Sequence, residues 1–480
     1  MKFYKSTLLV IECKRIKTML RILNNARTFS ATILVATIIM AGCGSRSSTQ
    51  TAGAVNIDPV ALLASITNGI HQPIPQSLGG WNWSSFINSF GTLLTSFRYT
   101  LQMQKVTYQS TGADGHVHSM TGLLILPSSI SGGAMPSVPI LMYQHGTEVY
   151  RPFSPSQYLT HLDSPANYPE VMVAAAIAAT GYAVAMVDYE GMGDNTDPQP
   201  HIVGTVLAQQ VIDLLRASRD IIVGSNFPCS WNNQLFLMGY SEGGYVTMMV
   251  TRELQLNNAA EFTVTASAPL SGPQDLSGTM RELILADNTF KAPYFIPMLL
   301  TGYNYAYGGQ TTFFTPGFAM LSPYDTTLPP LFDGNTQSVE ISEAMGMSFS
   351  PVSLIKKEST VSQQFISQLT SNTSTVFAYL QENDSYRLPG QVNSVWVPAV
   401  PIRMIHDMND DLVPYANSQV AFNAFSTVGA KNHIVMGPGV ELLANTVTIS
   451  ISSDPVQTVH FAAAFPELSE GWNWLNNFKK

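Results

Sequence analysis

The sequence predicts an α/β protein with a mainly parallel central sheet that helices cover on both faces. From about residue 138 to the C-terminus, short apolar segments of strand length alternate with helical patterns, which is typical of parallel sheets. Hydrophobic residues make up 45% of the 480 residues and charged residues only 11%, so a large core can form. In the middle of the chain an apolar strand runs into the turn between Gly239 and Gly243, and a helical pattern follows directly.

The first 42 residues have the features of a bacterial lipoprotein signal peptide. A basic segment precedes an apolar run over residues 29–41, which is short for a membrane span. The run ends at residues 40–43, Met-Ala-Gly-Cys, which resemble the lipobox of bacterial lipoproteins. The resemblance implies a lipid anchor on Cys43. An ordinary signal peptide or short anchor with a coincidental cysteine stays open, as does translation from Met19.

Residues 43–56 are rich in Ser, Thr and Gly and predict a flexible tether between the anchor and the folded body. Gly44 stands where lipoproteins of the inner membrane carry a retaining aspartate. The resemblance therefore implies a protein outside the cytoplasm, anchored at the outer membrane or the cell surface.

Charge and cysteine content exclude several kinds of partner and site. The first 42 residues hold seven of the 23 Lys and Arg residues and one of the 32 Asp and Glu residues, which leaves 16 basic and 31 acidic residues, a net charge of −15, after them. Such a surface does not suit nucleic acid. Cys13 falls in the leader, so Cys229 is the one cysteine of the body after Cys43. We expect no internal disulfide and no thiolate metal site, and a structural role for Cys229.

The N-terminal part of the body, from residue 57, predicts a wrap followed by a hairpin. Residues 57–97 carry scattered aromatic and aliphatic side chains and predict a helical or irregular segment that packs on the core. Residues 99–109 and 119–126 predict two strands around a turn. His116 and His118 would share one face of this hairpin. A metal pair is possible there, although an exposed hairpin is commoner.

From residue 138 onward strands and helices alternate. The predicted strands are 138–143, 182–187, 234–239, 263–268, 401–405 and 433–436. The predicted helices are 171–180, 204–223, the segment from the glycine turn to about 256, 415–425 and 461–478.

Six short motifs in this order resemble those of the α/β-hydrolase superfamily, nearest to its secreted lipases and esterases. They are residues 144–147, 188–193, 239–243, 268–276 and 406–414, and His460. The resemblance covers about residues 99–478. It implies an α/β-hydrolase fold whose core comprises residues 57–276 and 399–480, with a cap of residues 277–398 inserted between strands 6 and 7.

The resemblance also implies a catalytic triad. A Gly-x-Ser-x-Gly turn between a strand and a helix is the nucleophile elbow of this fold, so Ser241 is the expected nucleophile. The acid should lie in the loop after strand 7, where we prefer Asp410 and regard the adjacent Asp411 as an exposed loop carboxylate. The base should immediately precede the last helix. This favours His460 over His433, which lies in a predicted strand.

The oxyanion hole is expected from the backbone N–H groups of Glu242 and Thr147, which follow the nucleophile and the third strand respectively. The side chain of Glu242 has no assigned role. Asp188 follows a strand and could be mistaken for the catalytic acid, but the resemblance implies a structural residue.

Together these features predict an extracytoplasmic serine hydrolase that cleaves carboxylic esters and needs neither a metal nor an organic cofactor. The expected partner is a small-molecule ester with an apolar acyl group, because aromatic and aliphatic residues cluster at 290–320 in the cap. Two alternatives stay open: a serine peptidase of the prolyl-oligopeptidase-like type, and an inactive surface binding lipoprotein on the same scaffold. The acyl chain length, the alcohol and the oligomeric state stay open as well.

Overall fold

A ten-stranded mixed sheet forms the centre of the fold. Its strands are β1 (Gln50–Thr51), β2 (Val55–Ile57), β3 (Tyr99–Thr111), β4 (Val117–Ser129), β5 (Ser137–Gln144), β6 (Ala183–Val187), β7 (Ser230–Tyr240), β8 (Ala266–Leu270), β9 (Pro401–Asp407) and β10 (Gly439–Asn445). The spatial order is β1-β3-β4-β6-β5-β7-β8-β9-β10, with β2 also paired to β3.

The computed structural model describes residues 50–51, 53–70, 83–129, 135–224, 228–286, 289–349, 352–353, 355–356, 360–430, 438–446 and 458–480. The predicted signal peptide and Cys43 lie outside these residues. Within them, no helix is both long and apolar enough to cross a membrane.

Strands β6, β5, β7, β8, β9 and β10 are neighbours in this order and run parallel to one another. The N-terminal strands β1 to β4 pair antiparallel with their neighbours, including β4 with β6. The parallel strands are short and apolar, and β6 and β8 are buried at every position. Buried parallel strands of this kind need cover on both faces. The predicted fold class is confirmed.

Helices supply that cover. Before the cap they are α1 (Pro59–Ile70), α2 (Trp83–Leu94), α3 (Pro169–Ala178), α4 (Gly204–Val223) and α5 (Glu242–Asn257). On one face α4 and α5 pack in a core with Leu124 and Leu237, and on the other face α2 and α3 pack in a second core with Leu141 and Phe236. Helix α4 coincides with the predicted helix.

Between β8 and β9 the chain leaves the sheet and forms an insertion, here called the cap after its predicted role. Its helices are α6 (Arg281–Leu285), α7 (Phe295–Tyr307), α8 (Pro316–Ala319), α9 (Tyr324–Thr327), α10 (Ser338–Ala344), α11 (Gln363–Thr370) and α12 (Thr375–Glu382). Short strands pair antiparallel in the same segment: Thr289–Phe290 with Ile355–Lys356, Ser348–Phe349 with Val352–Ser353, and Arg387–Leu388 with Gln391–Val395.

The cap packs on the body through two sets of apolar side chains. Tyr303 and Phe314 join the core that covers α4 and α5. Tyr294 and Met298 form a smaller cluster that includes Leu412 from the loop after β9. The aromatic residues of the cap therefore hold it against the carboxyl end of the parallel strands.

The C-terminal part contains α13 (Ala416–Thr427) and α14 (Val459–Asn476). Among the described residues, β10 is the last strand of the sheet, and the predicted strand 433–436, with His433, lies outside them. One expectation needs correction here. His460 does not precede the last helix but occupies its first turn, because Thr458 is the residue that caps the helix by accepting a hydrogen bond from the N–H of Phe461.

The N-terminal wrap forms as two helices, and Leu62, Phe86 and Phe90 in them are buried. The tether, however, ends earlier than the predicted residue 56. Strands β1 and β2 within it pair antiparallel with β3, because β3 offers an otherwise open sheet edge whose N–H and C=O groups need partners.

Candidate active site

Ser241 lies in a sharp turn between β7 and α5. Its backbone has φ 60° and ψ −123°, a conformation that side-chain-bearing residues rarely adopt, and it is the residue that caps α5. The turn keeps the hydroxyl at the carboxyl end of the sheet, where parallel strands present functional residues. The helix N-terminus beneath the serine favours negative charge developing nearby.

The glycines around Ser241 are required by close backbone approach. A Cβ on Gly243 would overlap the carbonyl oxygen of Gln144, and a Cβ on Gly244 would overlap that of Leu270. These carbonyls belong to β5 and β8, the two strands that flank β7. Helix α5 can therefore start directly above the sheet only with glycine at these positions.

The structure brings Ser241, His460 and Asp410 together in one chain of hydrogen bonds. The distance from Ser241 Oγ to His460 Nε2 is 2.8 Å, and that from His460 Nδ1 to Asp410 Oδ2 is 2.6 Å. With the ionised carboxylate accepting from Nδ1–H, Nε2 is the free base that accepts from the serine hydroxyl.

Asp410 is held as a carboxylate. Its Oδ1 accepts hydrogen bonds from the N–H groups of Leu412 and Val413, at 3.0 and 2.8 Å. Burial alone would raise the pKa of Asp410, but the interactions with His460 and His406 outweigh burial and hold the pKa well below its usual value. An ionised acid can orient the imidazole and stabilise its protonated form.

Asp411 is not the exposed loop carboxylate that we expected. Its Oδ1 accepts hydrogen bonds from the backbone N–H groups of Val459 at 2.9 Å and His460 at 3.4 Å, and its Oδ2 pairs with Lys291 at 2.8 Å. These N–H groups belong to the first turn of α14, where a carboxylate is favourable. Asp411 thus fixes the backbone that carries His460, a role that no motif indicated.

The loop after β5 lies directly against Ser241. A Cβ on Gly146 would sit 3.6 Å from Cβ of Ser241. The N–H of Gly146 donates to Glu170, at 3.1 Å to Oε2, and Glu170 also accepts from the hydroxyl of Tyr143 at 3.1 Å. Thr147 follows in this loop and lines the space around Ser241, as the expected oxyanion donor should.

The side chain of Glu242 connects the turn at Ser241 to two loops. Its carboxylate accepts a hydrogen bond from Nδ1 of His201 at 3.0 Å and another from the side chain of Thr147. Burial would raise the pKa of Glu242, but the interactions with His201 and His145 lower it further than burial raises it. Glu242 therefore stays ionised and ties the Thr147 loop to the elbow.

Asp188 and Cys229, two further residues considered in the sequence, are buried away from the Ser241 hydrogen-bond chain. Asp188 is buried and accepts hydrogen bonds from the hydroxyl of Thr121 at 2.6 Å and the N–H of Ser156 at 2.9 Å, so it joins two segments of the body. Cys229 is a free, buried cysteine, and burial raises the pKa of its thiol to about 12. Neither side chain takes part in the Ser241 hydrogen-bond chain.

Both hairpin histidines contact Asp114, with Nδ1 of His116 at 3.1 Å from Oδ2 of Asp114, but they differ in exposure. His116 is exposed, whereas His118 lies between Asp114 at 2.9 Å and Asp197 at 2.9 Å. The hydrogen bond to Asp114 raises the pKa of His118. Asp114, His118 and Glu190 place ligand atoms within 4.8 Å of one another, the one such group of potential metal ligands among the described residues. Each already has protein partners, so packing of the hairpin accounts for the cluster.

Two cavities meet at Ser241, each enclosing about 650 to 670 Å³ of empty space with the open mouth included. One, the apolar cavity, lies between the cap and the loops after β8 and β9, and its walls include Leu276, Met280, Leu283, Ile284, Leu299 and Leu412. The other, the acidic cavity, lies on the side of the Thr147 loop, and its walls include Glu148, Glu170, Phe153, Tyr168, Tyr294 and Phe461.

Comparisons with known proteins bear on the fold. The sequence matches no protein-family model and no curated protein. Solved structures match it well: a candidate hydrolase from Legionella pneumophila superposes with a TM-score of 0.67 at 21% identity, covering 90% of this chain and 98% of that chain.

Two further solved structures are similar to this chain. The rice cell wall degrading esterase LipA from Xanthomonas oryzae has a TM-score of 0.64 at 22% identity, covering 88% of this chain and 94% of its own. Lipase A from Candida antarctica has a TM-score of 0.54 at 17% identity, covering 76% of this chain and 74% of its own. The strand order, the elbow and these superpositions together show that the chain has the α/β-hydrolase fold.

Proposed function

We propose that this protein is a serine hydrolase that cleaves carboxylic esters through an acyl-enzyme. The observation that carries the proposal is the hydrogen-bond chain from Ser241 through His460 to Asp410, built on a strained nucleophile turn. A buried serine, a histidine with one free nitrogen and an ionised acid are the parts that nucleophilic acyl transfer requires.

The geometry supports the usual two half-reactions. Ser241 Oγ attacks the ester carbonyl carbon while His460 Nε2 takes the hydroxyl proton. The N–H groups of Glu242 and Thr147 stabilise the oxyanion that forms. His460 then returns the proton to the departing alcohol oxygen, and the C–O bond breaks to leave the acyl group on Ser241. In the second half, water replaces the alcohol, and His460 again moves the proton.

Ester substrates are favoured by the walls of the two cavities. The apolar cavity opens onto Ser241 and lies under the cap, so it suits an uncharged acyl chain. The structurally similar proteins include one described as an esterase and one described as a lipase. A peptidase of the prolyl-oligopeptidase-like type and an inactive binding scaffold remain as the other outcomes of the test.

The test measures hydrolysis of p-nitrophenyl esters from acetate to palmitate by the full chain in detergent, beside Ser241→Ala. Wild-type activity that is lost in the variant, together with labelling of Ser241 by a fluorophosphonate, supports the proposal. Labelling of Ser241 with hydrolysis of peptide p-nitroanilides but of no ester would favour the peptidase. A folded chain that neither turns over a substrate nor reacts with the fluorophosphonate would favour the binding scaffold.

We also propose that the mature protein is anchored outside the cytoplasm by a lipid on Cys43. The sequence of residues 29–43 supports this. Cells fed an alkyne fatty acid should incorporate the label into the wild type and into Cys229→Ser, but not into Cys43→Ser. Because both variants lose one thiol, equal labelling of all three proteins would contradict the anchor.

A further inference from the structure

The acidic cavity places two carboxyl groups close to the nucleophile. Glu148 and Glu170 line the same cavity as Ser241, and each glutamate is half-buried. Burial raises the pKa of Glu170, and the nearby charge of Glu148 raises it further. Two acidic groups near each other in a narrow space are costly to ionise unless a positive charge joins them.

No cationic side chain supplies that charge. Among the described residues that line the acidic cavity, none is Lys or Arg. The one basic ring, His145, uses Nδ1 to donate to the carbonyl of Gly146 at 2.7 Å, and burial lowers its pKa. The carboxylate of Glu148 accepts hydrogen bonds from the backbone N–H groups of Val149 and Tyr150, at 2.9 and 2.8 Å. These bonds hold the carboxylate in place without a cation.

Aromatic side chains also line the acidic cavity. Phe153, Tyr168, Tyr294, Phe295 and Phe461 all line it. The faces of aromatic rings attract ammonium groups, and the attraction grows when the cation is removed from water. Two carboxyl groups together with aromatic rings form a lining suited to an organic cation.

We propose that the acidic cavity binds a cationic group, an ammonium, on the alcohol part of the ester. This rests on the proposed ester hydrolysis, and it assigns the acyl chain to the apolar cavity and the alcohol to the acidic cavity. The competing occupant is a neutral alcohol whose hydroxyl groups donate to Glu148 and Glu170. A site for such an alcohol would not favour a charged ester over a neutral ester of the same shape, and this is the difference that the test measures.

The test compares two esters that have nearly the same shape. Butyrylcholine carries a quaternary nitrogen where 3,3-dimethylbutyl butyrate carries a carbon, so only the charge differs. Hydrolysis by the full chain is followed by acid release at constant pH. We expect kcat/KM to be about tenfold higher for butyrylcholine. Equal values, or a preference for the neutral ester, would overturn the proposal.

Variants show whether the preference comes from this cavity. Glu148→Gln keeps the size of the side chain and removes the charge, so the ratio of the two kcat/KM values should fall toward one. Glu343→Gln removes the same charge from an exposed residue that lines neither cavity, and it should keep the ratio. A ratio unchanged in Glu148→Gln would also overturn the proposal.

A parallel assay with p-nitrophenyl butyrate keeps the two proposals distinct. If that ester is cleaved and the two alcohol esters are cleaved equally, the hydrolase proposal stands and the cation site falls. If none of the three esters is cleaved by folded protein, ester hydrolysis itself fails.

The pH dependence of the ratio gives a second readout. Burial raises the pKa of Glu148 to about 7 and that of Glu170 to about 8. The ratio should therefore increase between about pH 6 and 9 as the two groups ionise. Any effect of pH that is common to both esters cancels in the ratio. The other titratable groups that face the two glutamates stay neutral over this range: His145 because its pKa is lowered, and Tyr143, Tyr168 and Tyr294 because theirs are raised.

Discussion

Asp410 and Asp411 are neighbours in the chain, and their carboxylates hold two different parts of His460. Asp410 Oδ2 lies 2.6 Å from the ring nitrogen Nδ1, while Asp411 Oδ1 accepts from the backbone N–H groups at the start of α14. One carboxylate therefore acts on the ring and its charge, and the other acts on the position of the backbone. This division predicts different consequences for two otherwise identical substitutions.

Asp410→Asn should nearly abolish ester hydrolysis. The amide cannot stabilise a protonated His460, and it favours the tautomer whose Nε2 no longer accepts from Ser241. We expect kcat to fall about 10⁴-fold, with a much smaller change in KM. Steady-state kinetics with p-nitrophenyl butyrate would measure this, and a loss of less than about tenfold would show that Asp410 is not the triad acid.

Asp411→Asn should reduce stability more clearly than catalysis. Removing the negative charge at the start of α14 should lower the free energy of unfolding by about 0.5 to 2 kcal/mol. We expect kcat to fall no more than about tenfold, since the His460 ring keeps its own partner. Lys291→Met is the control, because it removes the positive partner of Asp411 from a partly exposed ion pair, which contributes little. Equal catalytic losses in Asp410→Asn and Asp411→Asn would contradict the separate roles.

Gly243→Ala should destabilise the fold although the change is small. Its Cβ would overlap the carbonyl oxygen of Gln144, so strand and helix must separate, and we expect a loss of about 3 kcal/mol or more in the free energy of unfolding. Gly91→Ala is the matched control. Gly91 lies inside α2, and apart from its chain neighbours and the backbone of its own helix no atom of the described residues lies within 4 Å of the place that an added methyl group would take. Alanine should therefore raise stability by up to about 1 kcal/mol. Urea denaturation of both variants checks the contrast.

The pH dependence of stability should depend on Glu467, a buried acid on α14. Its Oε2 accepts from the hydroxyl of Ser271 at 2.8 Å, and burial raises its pKa well above 4.5. The folded protein therefore holds a proton that the unfolded chain loses above about pH 4.5, so stability should fall as the pH rises from there toward the raised pKa. Urea denaturation between about pH 5.5 and 7.5 should show this decline.

Glu467→Gln should make the decline shallower by up to about 1.4 kcal/mol per pH unit, because the amide has no proton to lose. Glu261→Gln is the control. Burial would raise the pKa of Glu261, but hydrogen bonds from Arg216 and Arg219 lower it below 4.5, so its titration lies outside the measured range. If Glu261→Gln changed the slope of the free energy of unfolding against pH as much as Glu467→Gln did, the decline could not be assigned to Glu467.

Local sequence patterns predict much of this fold because each depends on residues close in the chain. The alternation of strand and helix predicts the parallel sheet, and glycines around Ser241 predict the turn, since both follow from backbone sterics within a few residues. The sequence does not predict the edge strands β1 and β2, because they are only two and three residues long and are stabilised by pairing with β3, about 50 residues away.

The same limit applies to the candidate site. Motifs indicated Ser241, Asp410 and His460, and the structure places them within hydrogen-bonding distance. Nothing nearby in the sequence indicates that Asp411 reaches Val459 or that Glu170 reaches the loop of Gly146. These contacts join residues that lie far apart in the chain, and only the folded arrangement brings the carboxylates to the backbone N–H groups they hold.

The length of the acyl chain should be limited by the apolar cavity. Leu299 on α7 lies in its wall and is half-buried, so Leu299→Trp would place a larger ring in the space beside Ser241. We expect the ratio of kcat/KM for p-nitrophenyl palmitate to that for the acetate to fall about tenfold or more, because a rigid core wall accommodates added volume poorly.

Leu256→Trp adds the same bulk at an exposed position near the end of α5 that lines neither cavity, so it should keep the ratio of the wild type. Leu299→Ala should act in the opposite direction and raise the ratio, since it enlarges the cavity. If Leu299→Trp and Leu256→Trp gave the same ratio, the acyl chain would have to lie elsewhere. The acidic cavity would then be the space at Ser241 left for the acyl chain. The assignment of the acyl chain to the apolar cavity and that of the alcohol to the acidic cavity would both fail.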